Sequence, residues 1–293
     1  MNRKSLALLL LLLFPASTLP AFDFSLEDLQ NIDVGKVLQY GQAVSKATRS
    51  FSEEERYYIG RASGARLLSD HRLLNRSGLQ TYVSAIGQTL AMASARPEIY
   101  SGYHFIVLDE PGRVNAYAVP GGFIFITTAL VAKTESEDEL AAILAHEISH
   151  LVLDHPISSI KKQYRDKLMK DILSEASERY ASEKVKKLAD LAGGLNNLSG
   201  MMVDFAAKGY SRSKEQEADL VALSMLRTAG YDATRFQHVL AKLSSIGTGV
   251  SGTHGNPRER ARIISEKLAR DIPFHIRNRD NRFMTVMSSS RNR

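Results

Sequence analysis

One helical segment constrains the fold of this 293-residue chain more than any other part of its sequence. Ser136 and Glu139 fit a capping box, which predicts the start of a helix, and Pro156 predicts its end. His146 and His150 lie four residues apart on this helix, so their imidazoles project from one face, one turn apart. Most residues around the two histidines are uncharged, which predicts that the helix is buried.

Two histidines in this arrangement can hold one zinc ion between them. Glu147 follows the first histidine, and its carboxylate can reach a water bound to that metal. The chain contains no cysteine, which excludes a disulfide scaffold, a cysteine-ligated zinc finger and a thiol nucleophile. Any metal ligand is therefore histidine, aspartate or glutamate. The alternative is a buried helix with two hydrogen-bonded histidines, but the rarity of the motif and its capped helical setting favour a metal site.

A zinc site of this kind needs a third protein ligand and one open position. His155 is the nearest candidate, but it would lie on the opposite side of a continuing helix from His146, so a hydrogen-bonded histidine at a helix end is the better interpretation. Glu215 and Asp219, four residues apart on a predicted helix, are stronger candidates. One carboxylate can bind the metal while the other accepts the N–H of a ligand histidine, and Glu217 should face solvent. From the spacing alone, a charged helix surface is the alternative.

Together these motifs resemble the HtpX/BepA-like family of zinc metallopeptidases, which is of the gluzincin type and related to the CAAX prenyl proteases. The similarity covers much of residues 52–270, and residues 115–122 resemble the stretch that leads into the active-site helix of this family. The short exported members without tetratricopeptide repeats are the most similar. The resemblance implies one Zn²⁺ per chain, with roles for five residues: zinc ligands His146, His150 and Glu215, general base Glu147, and Asp219 as the hydrogen-bond partner of His146.

The reaction of such an enzyme needs a further donor for the oxyanion of its tetrahedral intermediate. The candidates are His254, Tyr210 and Arg212. His254 lies in a glycine-rich loop where the family usually has His-Pro, whereas two residues separate His254 from Pro257 here. We predict that His254 lies at the catalytic site, as an oxyanion donor or an occasional fourth ligand. A solvated loop histidine is the alternative.

Three short β-rich runs, residues 103–108, 114–119 and 123–127, precede the capped helix. They predict a small antiparallel sheet beside the active-site helix, within a mostly helical α+β domain of the zincin type. The second run is a candidate edge strand that pairs with an extended substrate, which favours unfolded polypeptides; an ordinary strand within the sheet is the alternative. The candidate substrate-binding residues are Asn115, Ala116, Tyr117 and Ala118.

The N-terminal residues have the pattern of a secretory signal peptide. Arg3 and Lys4 precede an apolar run, Leu6 to Phe14, that is shorter than the roughly 20 residues of a membrane-spanning helix. We predict a signal peptide over residues 1–21 and export, with the periplasm as the destination. The rest of the chain shows no internal repeat. It is expected to form one metallopeptidase domain, residues 22–275, with a basic and flexible tail, residues 276–293.

Composition and charge limit the classes of molecule that the chain is expected to bind. The chain is 44% hydrophobic and 24% charged, as is usual for globular proteins, and its net charge of +6 is small for its length. Because the basic residues are dispersed, nucleic-acid binding is not indicated. We predict an exported zinc metalloendopeptidase that acts on unfolded or misassembled envelope proteins. A zinc-containing chaperone that binds polypeptides with little turnover is the alternative, and peripheral association with a membrane is left open.

Overall fold

The structure is a computed structural model that describes residues 49–75, 77–162, 209–245, 254–274 and 276–291. The predicted signal peptide lies outside these residues. The chain divides into two compact units, residues 1–51 with 160–198 and residues 52–159 with 199–293. Of the first unit, only residues 49–51 and 160–162 are described. The site and the elements that position it belong to the second unit.

The second unit is mostly helical with one small sheet, which confirms the predicted α+β class. Its helices are α1 (Glu53–Asp70), α2 (Ser77–Met92), α3 (Thr128–Val131), α4 (Glu137–Val152), α5 (Arg212–Thr228), α6 (Arg235–Ser245), α7 (Pro257–Leu268) and α8 (Arg277–Arg291). Its strands are β1 (His104–Leu108), β2 (Ala116–Val119) and β3 (Phe123–Thr127). Residues 155–162 are also helical. Within the described ranges, no helix is both long and apolar enough to cross a membrane.

The sheet is mixed, so the prediction of an antiparallel sheet is wrong for one of its strands. The strand order is β1-β3-β2, with β2 antiparallel and β1 parallel to β3. A tight turn joins β2 to β3 through Gly121 and Gly122, which have φ values of +71° and +89°. Pro120, Gly121 and Gly122 are residues typical of such a turn. The parallel pairing of β1 with β3 cannot be predicted from the sequence, because the two strands are not consecutive in the chain. Strand β1 is brought beside β3 by tertiary packing, which includes its contact with α2.

Helix α4 lies in the core of the unit, as predicted. The Ser136 hydroxyl accepts a hydrogen bond from the Glu139 backbone N–H at 3.2 Å. The helix packs against α2, α5, α6 and β2, with Leu140, Leu144 and Ile148 completely buried. Burial of each of these side chains stabilises the fold by about 1.5–3 kcal/mol. This packing holds the backbone beneath the two histidines in place.

Residues 277–291, predicted to belong to a basic and flexible tail, form the helix α8. In α8, Phe283 and Met287 are buried against the main core, and Arg282 forms an ion pair with the buried Glu137 of α4. The apolar stripe is narrow, since only the partly buried Val286 joins these two residues and Met284 is exposed, in a helix that is otherwise polar. Such a narrow stripe gives a weak periodic signal, and the ion pair that completes it depends on tertiary contacts.

Candidate metal centre

Three elements bring four potential ligands together. Helix α4 contributes His146 and His150, α5 contributes Glu215, and the residues before α7 contribute His254. One ligand atom from each lies within 4.8 Å of the others. The Nε2 atoms of the two α4 histidines are 3.0 Å apart, and carboxylate oxygens of Glu215 lie 3.3 and 3.6 Å from them. The two histidines of α4 thus meet Glu215 of α5 and His254 at one point.

This donor set fits a metal ion. Both carboxylate oxygens of Glu215 are buried and form no well-aligned hydrogen bond within the described residues, although His146 and Arg260 lie 3.3 Å from one of them. Burial alone would raise the pKa of Glu215, but His254 and His146 outweigh it and hold this pKa well below its usual range. A buried, ionised carboxylate without a well-aligned hydrogen bond is costly, and a divalent cation would satisfy it. Two imidazoles and one carboxylate are ligands that zinc accepts.

Asp219 and Arg260 contact His146 at its Nδ1. The Asp219 carboxylate is 3.0 Å from His146 Nδ1, and the Arg260 guanidinium donates two hydrogen bonds to it, at 2.6 and 2.8 Å. Burial would raise the pKa of Asp219, but the Arg260 charge outweighs it and lowers that pKa. Asp219 therefore stays ionised and can accept the N–H of His146.

Arg260 is the functional candidate that sequence reasoning missed. It is buried, and besides Asp219 it contacts Glu215 at 3.3 Å and donates to the His254 backbone carbonyl at 2.9 Å. In the sequence it is one of three arginines near the start of α7, with Arg258 and Arg262. Only the orientation of α7 against α5 distinguishes it from the other two.

The pKa values of the two α4 histidines shift in opposite directions. Burial and the charge of Arg260 oppose protonation of His146, but the adjacent carboxylates of Asp219 and Glu215 outweigh them and raise its pKa to about 9. Burial and the proximity of His146 hold the pKa of His150 well below its usual range. A neutral His150 has a free electron pair, which is the form that binds a metal.

His155 contacts the centre from its far side. Its Nδ1 lies 2.8 Å from Nδ1 of His150, and its Nε2 lies 3.3 Å from a carboxylate oxygen of Glu217. The sequence favours a hydrogen-bonded histidine at the helix end over a ligand on a continuing helix, and these contacts agree with that interpretation. Helix α4 ends at Val152, and Asp154 adopts a left-handed φ of +58° that redirects the chain. Asp tolerates this conformation, and the turn brings the histidine ring back toward α4.

Glu147 lines a cleft of about 400 Å³ beside the candidate ligands. It is buried on α4, and its carboxylate lies 3.6 Å from Nε2 of His254. One wall of the cleft is formed by His146, His254 and Arg260. The rest is largely apolar and is lined by Leu130, Ile143, Phe236, Val239, Leu240 and Leu243.

Of the three oxyanion candidates, the structure brings two to the centre. His254 lies within the ligand cluster. Tyr210 stacks on His150, with ring centroids 4.3 Å apart, and its buried hydroxyl has no hydrogen-bond partner among the described residues. Arg212 is 75% exposed and pairs with Glu259, so it faces away from the ligands.

The predicted substrate strand is divided between two environments. Strand β2 lies at the edge of the sheet, and Asn115 and Ala116 line the cleft. The Tyr117 side chain belongs to a separate apolar cluster with Leu67 and Phe125, and Ala118 packs in the main core. The structure thus brings the start of this strand to Glu147 and directs the Tyr117 side chain elsewhere.

A buried helix with His-Glu-x-x-His, joined by a glutamate from a later helix, defines a metallopeptidase of the HExxH type. The sequence profile of peptidase family M48 matches residues 77–268, and the chain belongs to this family. The predicted resemblance to the HtpX/BepA-like metallopeptidases is thereby confirmed, and with it the predicted class of enzyme.

Several curated relatives are similar over long stretches. The beta-barrel assembly-enhancing protease of Escherichia coli (strain K12) is 26% identical over 227 residues, which are 76% of this chain and 42% of the relative. Metalloprotease YcaL of the same strain is 22% identical over 88% of this chain and 97% of its own length. The mitochondrial metalloendopeptidase OMA1 of Arabidopsis thaliana is 28% identical over 56% of this chain and 31% of its own length. The chain therefore spans about two fifths of the beta-barrel assembly-enhancing protease that it matches.

Proposed function

We propose that this chain is a zinc-dependent endopeptidase in which His146, His150 and Glu215 hold the metal and Glu147 is the general base. The observation that carries the proposal is the convergence of these three buried donors beside Glu147, at the wall of an open cleft. Family membership supports peptide bonds as the substrate.

In the proposed hydrolysis, different residues transfer the proton and stabilise the oxyanion. Bound zinc would supply Lewis acidity, lowering the pKa of a water molecule and polarising the scissile carbonyl. Glu147 accepts the proton of the attacking water and later delivers it to the leaving amine. His254 and Arg260, in the same wall of the cleft, are placed to donate hydrogen bonds to the developing oxyanion, and Tyr210 offers a third donor.

The proposed substrates are extended polypeptides. The edge strand β2 begins at the cleft, and the proposed pairing of a substrate chain with Asn115, Ala116, Tyr117 and Ala118 requires the buried backbone of this strand to become accessible. Main-chain pairing selects unfolded segments. Together with the predicted signal peptide and the β-barrel assembly in the name of one relative, this supports unfolded or misassembled envelope proteins as substrates.

Metal removal tests the proposed function. The purified chain is expected to contain about one zinc ion and to cleave an unfolded protein such as casein. Treatment with 1,10-phenanthroline should abolish cleavage, and added zinc should restore it. A chain that binds no zinc would contradict the proposal. A chain that binds zinc and prevents aggregation, but never cleaves, would support the alternative of a zinc-containing chaperone.

The apolar wall of the cleft predicts a preference at the scissile bond. A peptide with phenylalanine beside that bond should be cleaved about tenfold more efficiently than its alanine counterpart, because the larger side chain buries more apolar surface. Leu243→Glu should reduce this ratio of kcat/KM values. The matched control is Leu73→Glu, at an exposed leucine outside the cleft, which should leave the ratio unchanged. Equal rates for both peptides with the unmodified chain would argue against a binding role for this wall.

A further inference from the structure

The Nδ1 atoms of the two α4 histidines have different hydrogen-bond partners. Nδ1 of His146 faces the carboxylate of Asp219, which Arg260 holds in place. Nδ1 of His150 faces another imidazole, that of His155, at 2.8 Å. Both rings of this second pair are buried, so water does not compete for the contact.

The position of the ligand nitrogen dictates where the protons lie. Nε2 of His150 points into the ligand cluster, so its Nδ1 carries the hydrogen when Nε2 binds a metal. At 2.8 Å this N–H donates to Nδ1 of His155, which must be the acceptor. The hydrogen of a neutral His155 then lies on Nε2, 3.3 Å from a carboxylate oxygen of Glu217. A hydrogen-bond chain therefore runs from the centre to Glu217, whose side chain is 61% exposed.

Hydrogen bonds from Lys214 anchor the segment that carries His155. Its backbone carbonyl accepts a hydrogen bond from Lys214 Nζ at 3.3 Å, and the same ammonium donates to the Ser158 and Ser159 hydroxyls at 2.7 Å. Lys214 precedes Glu215 on α5, so one residue of that helix anchors the segment with His155 while the next faces the ligands.

We propose that His155 is a positioning residue that fixes the tautomer and the ring orientation of His150 through the chain His150–His155–Glu217. The inference rests on the proposed metal centre. Glu215 and Asp219 already place two negative charges next to the histidines. A neutral imidazole supplies the acceptor that His150 needs without a third buried charge at this distance. Partners of this kind change metal affinity by about 10- to 100-fold when they are removed.

Two substitutions at this position separate hydrogen bonding from packing. His155→Leu retains most of the volume but removes the acceptor, and we expect zinc affinity to fall by about 10- to 100-fold. In His155→Asn, Oδ1 can take the place of Nδ1 and accept the same N–H, so the affinity should return to within a few-fold of the original. The zinc dissociation constant is measured by competition with a chromophoric chelator. The visible absorption bands of the Co²⁺-loaded chain report the ligand geometry, and they should change for His155→Leu only.

A matched control separates this effect from a general loss of buried histidine. His71 also places a ring nitrogen against a glutamate, with Nδ1 2.7 Å from Glu110, but it does not contact the ligand cluster. His71→Leu should therefore leave zinc affinity unchanged. Far-UV circular dichroism checks that each variant is folded.

The outcomes distinguish this inference from the proposed function. If the unmodified chain binds no zinc, the metal centre itself is wrong and this inference falls with it. If the unmodified chain binds zinc and His155→Leu binds it equally well, only the positioning role is overturned. Equal losses in His155→Leu and His155→Asn would also overturn it, because packing alone would explain them. A loss in His155→Leu that His155→Asn restores supports the proposal.

Discussion

Glu147→Gln is expected to reduce the rate of casein cleavage by about 10²- to 10⁴-fold, the usual contribution of a general base. Glutamine has nearly the same shape as glutamate but cannot accept a proton from water. Because Glu147 is outside the set of proposed ligands, zinc content should stay at about one ion per chain. The measurements are the initial rate of cleavage and the metal content of the same sample.

A glutamate outside the ligand cluster and the cleft provides the control. Glu266 is exposed and pairs with Arg262 on the surface of α7, so Glu266→Gln should leave both cleavage and zinc content unchanged. Undiminished cleavage by Glu147→Gln would show that another group is the base. Loss of zinc from Glu147→Gln would show that Glu147 also supports the metal.

Glu137→Ala is expected to lower the free energy of unfolding by about 3–5 kcal/mol, a large part of the stability of a domain of this size. Glu137 is completely buried at the start of α4 and accepts hydrogen bonds from the hydroxyls of Tyr82 at 2.8 Å and Tyr231 at 3.3 Å. It also pairs with Arg282 of α8. The substitution leaves both hydroxyls without this acceptor and removes a contact that holds α8 on α4.

Urea denaturation of the metal-free chain measures this loss without the contribution of bound zinc. Glu137→Gln keeps an acceptor oxygen for the tyrosines and should show a smaller loss. Glu266→Ala, which breaks the exposed pair with Arg262, should cost no more than about 1 kcal/mol. A loss of that size for Glu137→Ala as well would mean that the buried cluster contributes little to stability.

Much of the candidate site can be predicted from the sequence because its signals are local. The cap at Ser136 and the spacing of His146 and His150 depend only on helix geometry. The absence of cysteine limits the ligands to imidazole and carboxylate. The pair Glu215 and Asp219 follows the same helical spacing, although only the resemblance to a family favours it over a charged surface.

Other parts of the site and fold depend on contacts between distant residues. Arg260 resembles its neighbours in the sequence and gains its role only because α7 packs beside α5. His155 reaches His150 because a left-handed residue redirects the chain, which helical spacing cannot anticipate.

By itself, the sequence determined the helix that holds the two histidines, the set of possible metal ligands and the mostly helical class of the fold. These follow from local backbone geometry and from residue chemistry. The tertiary structure decided the direction of β1, the helical form of residues 277–291 and the partners of the ligand histidines. Each of these depends on burial and charge pairing between segments far apart in the chain, and a local pattern carries no record of which segments will meet.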